Sequence, residues 1–124
     1  MNKEFIPYEQ ALELKELGFD EDVIAYWEKN SLLKPIPMSD FINSFPVNDY
    51  PKADWIAAPL YQQAFRWFRE KYKFTYSIGN TNIAVIHYLE TTQLLQNNDS
   101  YEAAELAVIK WFINVAKQQN NGKD

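Results

Sequence analysis

The 124-residue sequence contains no cysteine, three glycines and one histidine. The absence of cysteine excludes disulfides, thiolate nucleophiles, iron–sulfur clusters and zinc sites built on cysteine. The three isolated glycines cannot form a G-x-G-x-x-G turn or a P-loop, and no serine stands in a G-x-S-x-G sequence. We therefore expect no cofactor, no metal and no catalytic residues, and we expect that the protein is not an enzyme.

Long hydrophobic runs are also absent. No apolar stretch approaches the ~18 residues that a membrane-spanning helix needs, and the opening MNKEFIPYEQ has no apolar signal core. We therefore expect a cytoplasmic protein without membrane contact. The single histidine, His87, has no carboxylate at metal-ligand spacing, so a structural or surface role is favoured over a catalytic one.

Apolar and aromatic residues are abundant in the rest of the composition. Hydrophobic residues make up 47% of the chain and aromatic residues 16%, which is too apolar for a disordered chain. A chain of this length can bury a core without disulfides or metals, so one domain over residues 1–124 is expected. The net charge of -5 opposes non-specific binding to nucleic acids and membranes.

The first half predicts a helix followed by a hairpin. The helix in IPYEQALELKELGF begins near Pro7 and ends before Gly18. The hairpin in VIAYWEKNSLLKPIP has its second strand at a sheet edge, because Pro35 cannot donate to a ladder. Residues 39–58 predict a long loop. We expect its aromatic side chains to hold it in place: Phe41, Phe45 and Trp55.

The second half predicts a helix, a second hairpin and a last helix. The central helix runs from Pro59 to about Tyr72, and KFTYSIGNTNIAVIHYLE forms a hairpin around Gly79. Asp99 and Glu102 have the spacing of a capping box at the start of the last helix. The predicted fold class is α+β, an antiparallel β-sheet of two hairpins packed with three α-helices in the order αββαββα.

Three blocks of the sequence, EFIPYEQALELKELGF, APLYQQAFRWFREKY and SYEAAELAVIKWF, cover about half of the chain. Together they resemble a family of small phage- and prophage-associated proteins of Bacteroidetes bacteria. That family has an EF-x-PYEQAL-x-LKELGF opening, an AP-x-x-x-QAFRWFREKY helix and a closing YEEAEL helix. The resemblance implies a cytosolic accessory protein of a mobile element and brings no catalytic residues. Residues 20–56 and 74–97 depart most from the pattern, and there we expect partner-dependent differences.

The central helix is basic in an acidic chain. The first 58 residues carry 5 lysines and 11 carboxylates, a net -6, whereas the rest carries 7 cations and 6 carboxylates, a net +1. Helical spacing places Arg66, Arg69 and Lys73 opposite the predicted core face, with Trp67 at its border. We predict that these four residues bind a macromolecule. The alternative is an ordinary solvated surface on which Trp67 covers the core edge.

The last helix carries a second apolar stripe beside its predicted core stripe. Leu106, Ile109 and Ile113 form this second stripe, which is either buried inside the domain or offered as a partner or dimer face. Glu105 falls inside the apolar arc. Because burying a lone carboxylate is costly, we expect a Lys, Arg, Tyr or His partner for it, or exposure at the rim.

Three functions remain. The first is a non-enzymatic phage or prophage accessory protein that binds a host or phage protein or ribonucleoprotein complex. Its sharpest form is an anti-CRISPR-like counter-defence inhibitor, whose acidic front occupies a basic nucleic-acid channel. The second is an RNA- or DNA-binding protein that uses the basic face of the central helix. The third is a structural or scaffold protein that forms a homo-oligomer. A deep polar pocket around His87 would instead favour an enzyme of unrecognised type that relies on tyrosines, His87 and carboxylates.

Overall fold

The computed structural model describes residues 2–28, 32–35 and 55–121. The chain divides into two compact units, Met1–Tyr61 and Gln62–Asp124, and the single domain over the whole chain stays a prediction. The helices are α1 (Tyr8–Glu16), α2 (Tyr61–Tyr72) and α3 (Tyr101–Asn121), preceded by a short 3-10 turn at Asn2–Glu4. The strands are β1 (Ala25–Glu28), β2 (Leu32–Pro35), β3 (Trp55–Ala57), β4 (Thr75–Ile78), β5 (Ala84–Tyr88) and β6 (Thr91–Leu95). The predicted α+β class is confirmed.

Each predicted hairpin is part of a three-stranded antiparallel sheet. The strand orders are β2-β1-β3 in the first unit and β4-β5-β6 in the second. The two hairpins therefore lie in separate sheets and not in the single predicted sheet, and the third strands are additions to the predicted order. β3 lies at the end of the segment predicted as a loop, while β6 has the polar sequence TTQLL, for which no strand was predicted. A polar strand escapes hydrophobic-pattern analysis because alternation is visible only when one face is buried.

Helix α1 ends in the way its sequence predicts. Gly18 has a φ of 94°, a left-handed conformation that glycine adopts without a steric penalty. Its N–H donates to the Lys15 carbonyl at 3.0 Å, and the Phe19 N–H donates to the Leu14 carbonyl at 3.0 Å. This is a Schellman motif, and the Phe19 that follows Gly18 is buried.

The first sheet is fixed by tryptophans on two neighbouring strands. The Trp27 Nε1–H donates to the Ile6 carbonyl at 2.9 Å, which ties β1 to the segment before α1. On the neighbouring strand, Trp55 stacks on Tyr26 with ring centroids 3.8 Å apart. Trp55 therefore packs as predicted, whereas Phe41 and Phe45 lie outside the described residues. The edge position of β2, with Pro35 in it, is confirmed.

The second unit has an aromatic core between its helices and its sheet. Phe68, Phe74 and Phe112 are fully buried, with ring centroids 5.1 to 6.0 Å apart. Helix α3 begins one residue later than the predicted capping box implies. The cap is Ser100, whose Oγ accepts the Ala103 N–H at 3.0 Å. The hydroxyl therefore replaces the predicted carboxylate as the acceptor at the helix start.

Candidate functional site

The predicted binding residues of α2 separate into exposed cations and a buried ring. Arg66, Arg69 and Lys73 are exposed, and the neighbouring Lys71 is exposed as well. Trp67 is only 5% exposed. These four cations stand against one exposed carboxylate, Glu70, so this surface carries a net charge of +3. We call it the basic surface of α2.

Trp67 covers the edge of the core, which is the stated alternative to its role in binding. Its ring meets Phe68 and Tyr72 edge-on, with centroids 5.0 and 5.8 Å apart. The Lys71 ammonium lies over the indole, 4.9 Å from the ring centroid. An indole is large enough to gain more from apolar contacts than from exposure. It therefore supports the basic surface through a cation–π contact and offers almost no surface of its own.

Two contacts within α2 modify the charge of the basic surface. The Arg66 Nε lies 3.8 Å from the Glu70 Oε1, and both side chains are more than half exposed, at 54% and 60%. An exposed pair of this kind contributes at most about 1 kcal/mol. Lys73 has a φ of 65°, and its Nζ donates to the Glu70 carbonyl at 3.2 Å. Lys73 therefore also caps the end of α2, a local structural role.

Negative charge is concentrated at the start of the first unit. Residues 2–28 contain eight carboxylates and two lysines, a net -6, whereas the equal numbers of lysines and aspartates in residues 29–58 cancel. Glu9, Glu13 and Glu16 are spaced so that they share one side of α1, away from its buried residues. Glu9 and Glu16 are exposed, and the exposed Asp20 follows α1. We call residues 2–28 the acidic segment.

The predicted partner or dimer face on α3 lies inside the protein. Ile109 is fully buried and Ile113 is 2% exposed. Leu106 is half-buried. For the two isoleucines, the structure therefore shows the alternative in which the second stripe is buried. An apolar arc on both sides of a helix is explained when the helix packs on more than one side.

A small group of polar side chains surrounds Tyr76 in the second unit. Burial raises the pKa of Tyr76 to about 12, with smaller contributions from Tyr101 and Glu105, while Arg69 acts in the opposite direction. Burial, and after it Glu102, raises the pKa of the Glu105 carboxyl. Glu105 is half-buried, which matches the predicted position at the rim. A phenol with so high a pKa stays neutral at pH 7, so Tyr76 carries no charge there.

His87 lies on the open face of the second sheet. The pairing register places it between Thr75 of β4 and Thr92 of β6, and all three side chains are exposed. Within the described residues, no group of three or more metal-ligating side chains could hold a metal ion. In the same part of the chain, no helix has both the length and the apolar character needed to cross a membrane.

Comparison with known protein families, with curated proteins and with solved structures gave no match for this chain.

Proposed function

We propose that this chain is a phage or prophage accessory protein that acts without catalysis, by binding a host or phage macromolecular complex. Its target is a complex that handles nucleic acids, and the acidic segment occupies that complex's positively charged surface. The observation that carries the proposal is the concentration of a net -6 within residues 2–28. The sequence resemblance to mobile-element proteins supports the same setting.

The acidic segment has suitable geometry for a positively charged groove. Glu9, Glu13 and Glu16 follow one another along α1 at rises of about 6 and 4.5 Å. The helix is held in place by the Schellman motif at its end and by its buried side, which includes Ala11 and Leu14. Pre-organised charges steer a partner of opposite sign and cost little ordering on binding. This favours an inhibitor that competes with nucleic acid for its channel.

A pull-down from the native host, read by mass spectrometry after nuclease treatment, tests the proposal. The tagged protein is compared with the variants E9Q/E16Q and E90Q/E102Q. Each variant removes two exposed carboxylates, the first from α1 and the second from the other unit. We expect the wild type and E90Q/E102Q to retain one host complex in equal amounts and E9Q/E16Q to retain less of it.

Titration of the purified complex then measures the electrostatic contribution. Two rim charges contribute roughly three- to thirtyfold in affinity, mostly through the association rate and its dependence on salt. We expect E9Q/E16Q to weaken binding by that factor and E90Q/E102Q to leave it within twofold of wild type. Equal effects of the two variants would mean that net charge, not the acidic segment, controls binding.

A second candidate function rests on the basic surface of α2. Its exposed cations could neutralise about three phosphates, which gives a slope near -3 for the affinity against salt on logarithmic axes. Fluorescence anisotropy at low salt, with single-stranded and duplex oligonucleotides, measures this directly. The variant R66Q/R69Q should abolish binding, whereas K3Q/K110Q removes two exposed lysines from other elements and should retain it. No binding at low salt would exclude this function.

A further inference from the structure

Strand β6 is an exposed edge of the second sheet. It follows β5 in the order β4-β5-β6, and its residues Thr91, Thr92, Gln93 and Leu94 are all exposed. Its sequence TTQLL has no charged residue, proline or glycine. Proteins commonly protect such an edge with lysine or proline. The edge strand β2 of the first unit has both, Lys34 and Pro35.

The backbone of β6 has hydrogen-bonding groups directed away from the sheet. Tyr88 and Thr91 close a two-residue hairpin turn, so alternate residues of β6 pair with β5. The N–H and C=O groups of Thr92 and Leu94 are the ones that point outward in this pattern. The Gln93 Nε2 donates to the Leu94 carbonyl at 3.3 Å, which is the contact expected of a carbonyl without a strand partner.

We propose that β6 binds a second copy of this chain, in an antiparallel pair whose two-fold axis passes beside Gln93. Thr92 then lies opposite the partner's Leu94, and Leu94 opposite the partner's Thr92. These two pairs exchange four N–H···O=C bonds that use the outward groups on both strands. The interface is isologous, because the same strand is used by both copies. Gln93 meets the partner's Gln93 across the axis.

The charges beside β6 permit a second copy at this edge. Two chains of net charge -5 repel each other wherever their carboxylates approach. In this antiparallel pair, a residue three positions before Gln93 lies opposite the partner's residue three positions after it. Glu90, the carboxylate nearest to β6 in the sequence, therefore lies opposite the partner's Gln96, which is neutral. The other edge strand, β4, is less accessible, since its Tyr76 and Ile78 are half-buried.

Cysteine cross-linking tests the register, since the natural chain contains no cysteine. In Q93C, the two new thiols face each other across the axis at a spacing that a disulfide accepts. T91C places its cysteine on the same strand, but four residues from its counterpart and beyond disulfide reach. We expect Q93C to form a covalent dimer at least about tenfold faster than T91C under mild oxidation. Equal rates would overturn the proposed pairing.

Sedimentation equilibrium tests the association without cross-linking. We expect the wild-type mass to rise from 14.6 kDa toward twice that value between about 10 µM and about 1 mM protein. Q93K places two like charges opposite each other and should stay monomeric, while the neutral strand former Q93T should still associate. Circular dichroism checks that each variant is folded. A wild type that stays monomeric, or a Q93K that associates equally well, would overturn the proposal.

Discussion

Substitution of Trp27 by phenylalanine gives a direct measure of what holds the first unit together. The Trp27 ring is 7% exposed, and its Nε1–H donates to the carbonyl of Ile6, a residue that is fully buried. The change W27F removes the donor and leaves that carbonyl without its partner. A buried acceptor in this state costs about 1–3 kcal/mol, and the smaller ring costs about 1 kcal/mol more.

The expected loss for W27F is therefore about 2–4 kcal/mol in the free energy of unfolding, which corresponds to roughly 8–16 °C in Tm for a chain of this size. Urea denaturation followed by far-UV circular dichroism measures it. The edge-to-face contact with Tyr8, at 6.4 Å between centroids, should survive in part because phenylalanine keeps a ring. The slope of the unfolding transition should not change, since the exposed surface stays the same.

W111F is the matched control for this prediction. Trp111 is half-buried and packs its ring against Phe74 and Phe112, with centroids 5.7 and 6.0 Å away. The same chemical change there reduces ring contact without removing the tie to a buried carbonyl, and we expect a loss of about 1 kcal/mol. If W27F and W111F lose stability equally, the hydrogen bond to Ile6 contributes nothing and the reasoning fails.

Three further predictions concern local structure. S100A should cost about 1 kcal/mol in unfolding free energy because it removes the acceptor of the Ala103 N–H. D99A should stay within about 0.5 kcal/mol of wild type. A larger loss for D99A than for S100A would restore the predicted capping box. Leu89 is 81% exposed and has a φ of 56°, a left-handed conformation that asparagine tolerates better than alanine. The free energy of unfolding of L89N, measured by thermal denaturation, should therefore be about 0.5–1 kcal/mol higher than that of L89A. Burial raises the pKa of the Glu105 carboxyl in the fold, so its ionised form destabilises the protein above the unfolded pKa. E105Q should therefore be more stable than wild type at pH 7, and the difference should vanish as the pH falls below 4.5.

The helices could be predicted from the sequence because each carries its own signals. Pro7 and Gly18 bracket α1, and Gly18 takes the left-handed conformation expected of a residue that ends a helix. Helix α2 is strongly amphipathic, so its periodicity identifies both the core side and the exposed Arg66 and Arg69. A helix buries its apolar stripe over many residues, and that makes the pattern readable without tertiary information.

The third strands and the state of Trp67 could not be predicted in the same way. Strand β6 pairs through its backbone, and no alternation marks it because neither face is covered. For Trp67, helical spacing gives only an angle near the core border. Whether an indole at that angle folds inward depends on space beside Phe68 and Tyr72, which is a property of packing. The position of Lys71 in the basic surface depends on the same packing, because its ammonium lies over the Trp67 ring.

The two proposed contacts use different segments, so a double-mutant cycle can separate them. E9Q/E16Q alters the acidic segment, and Q93K alters the β6 edge. If target binding and self-association are independent, the effects of the two variants on target affinity add within about 0.3–0.5 kcal/mol. A larger coupling energy would mean that the bound form is the dimer, since pairing through β6 doubles the acidic segments that one target meets. The target affinity of Q93K alone distinguishes the two cases. It is unchanged if the inhibitor acts as a monomer, and it is weakened if two linked acidic segments act together.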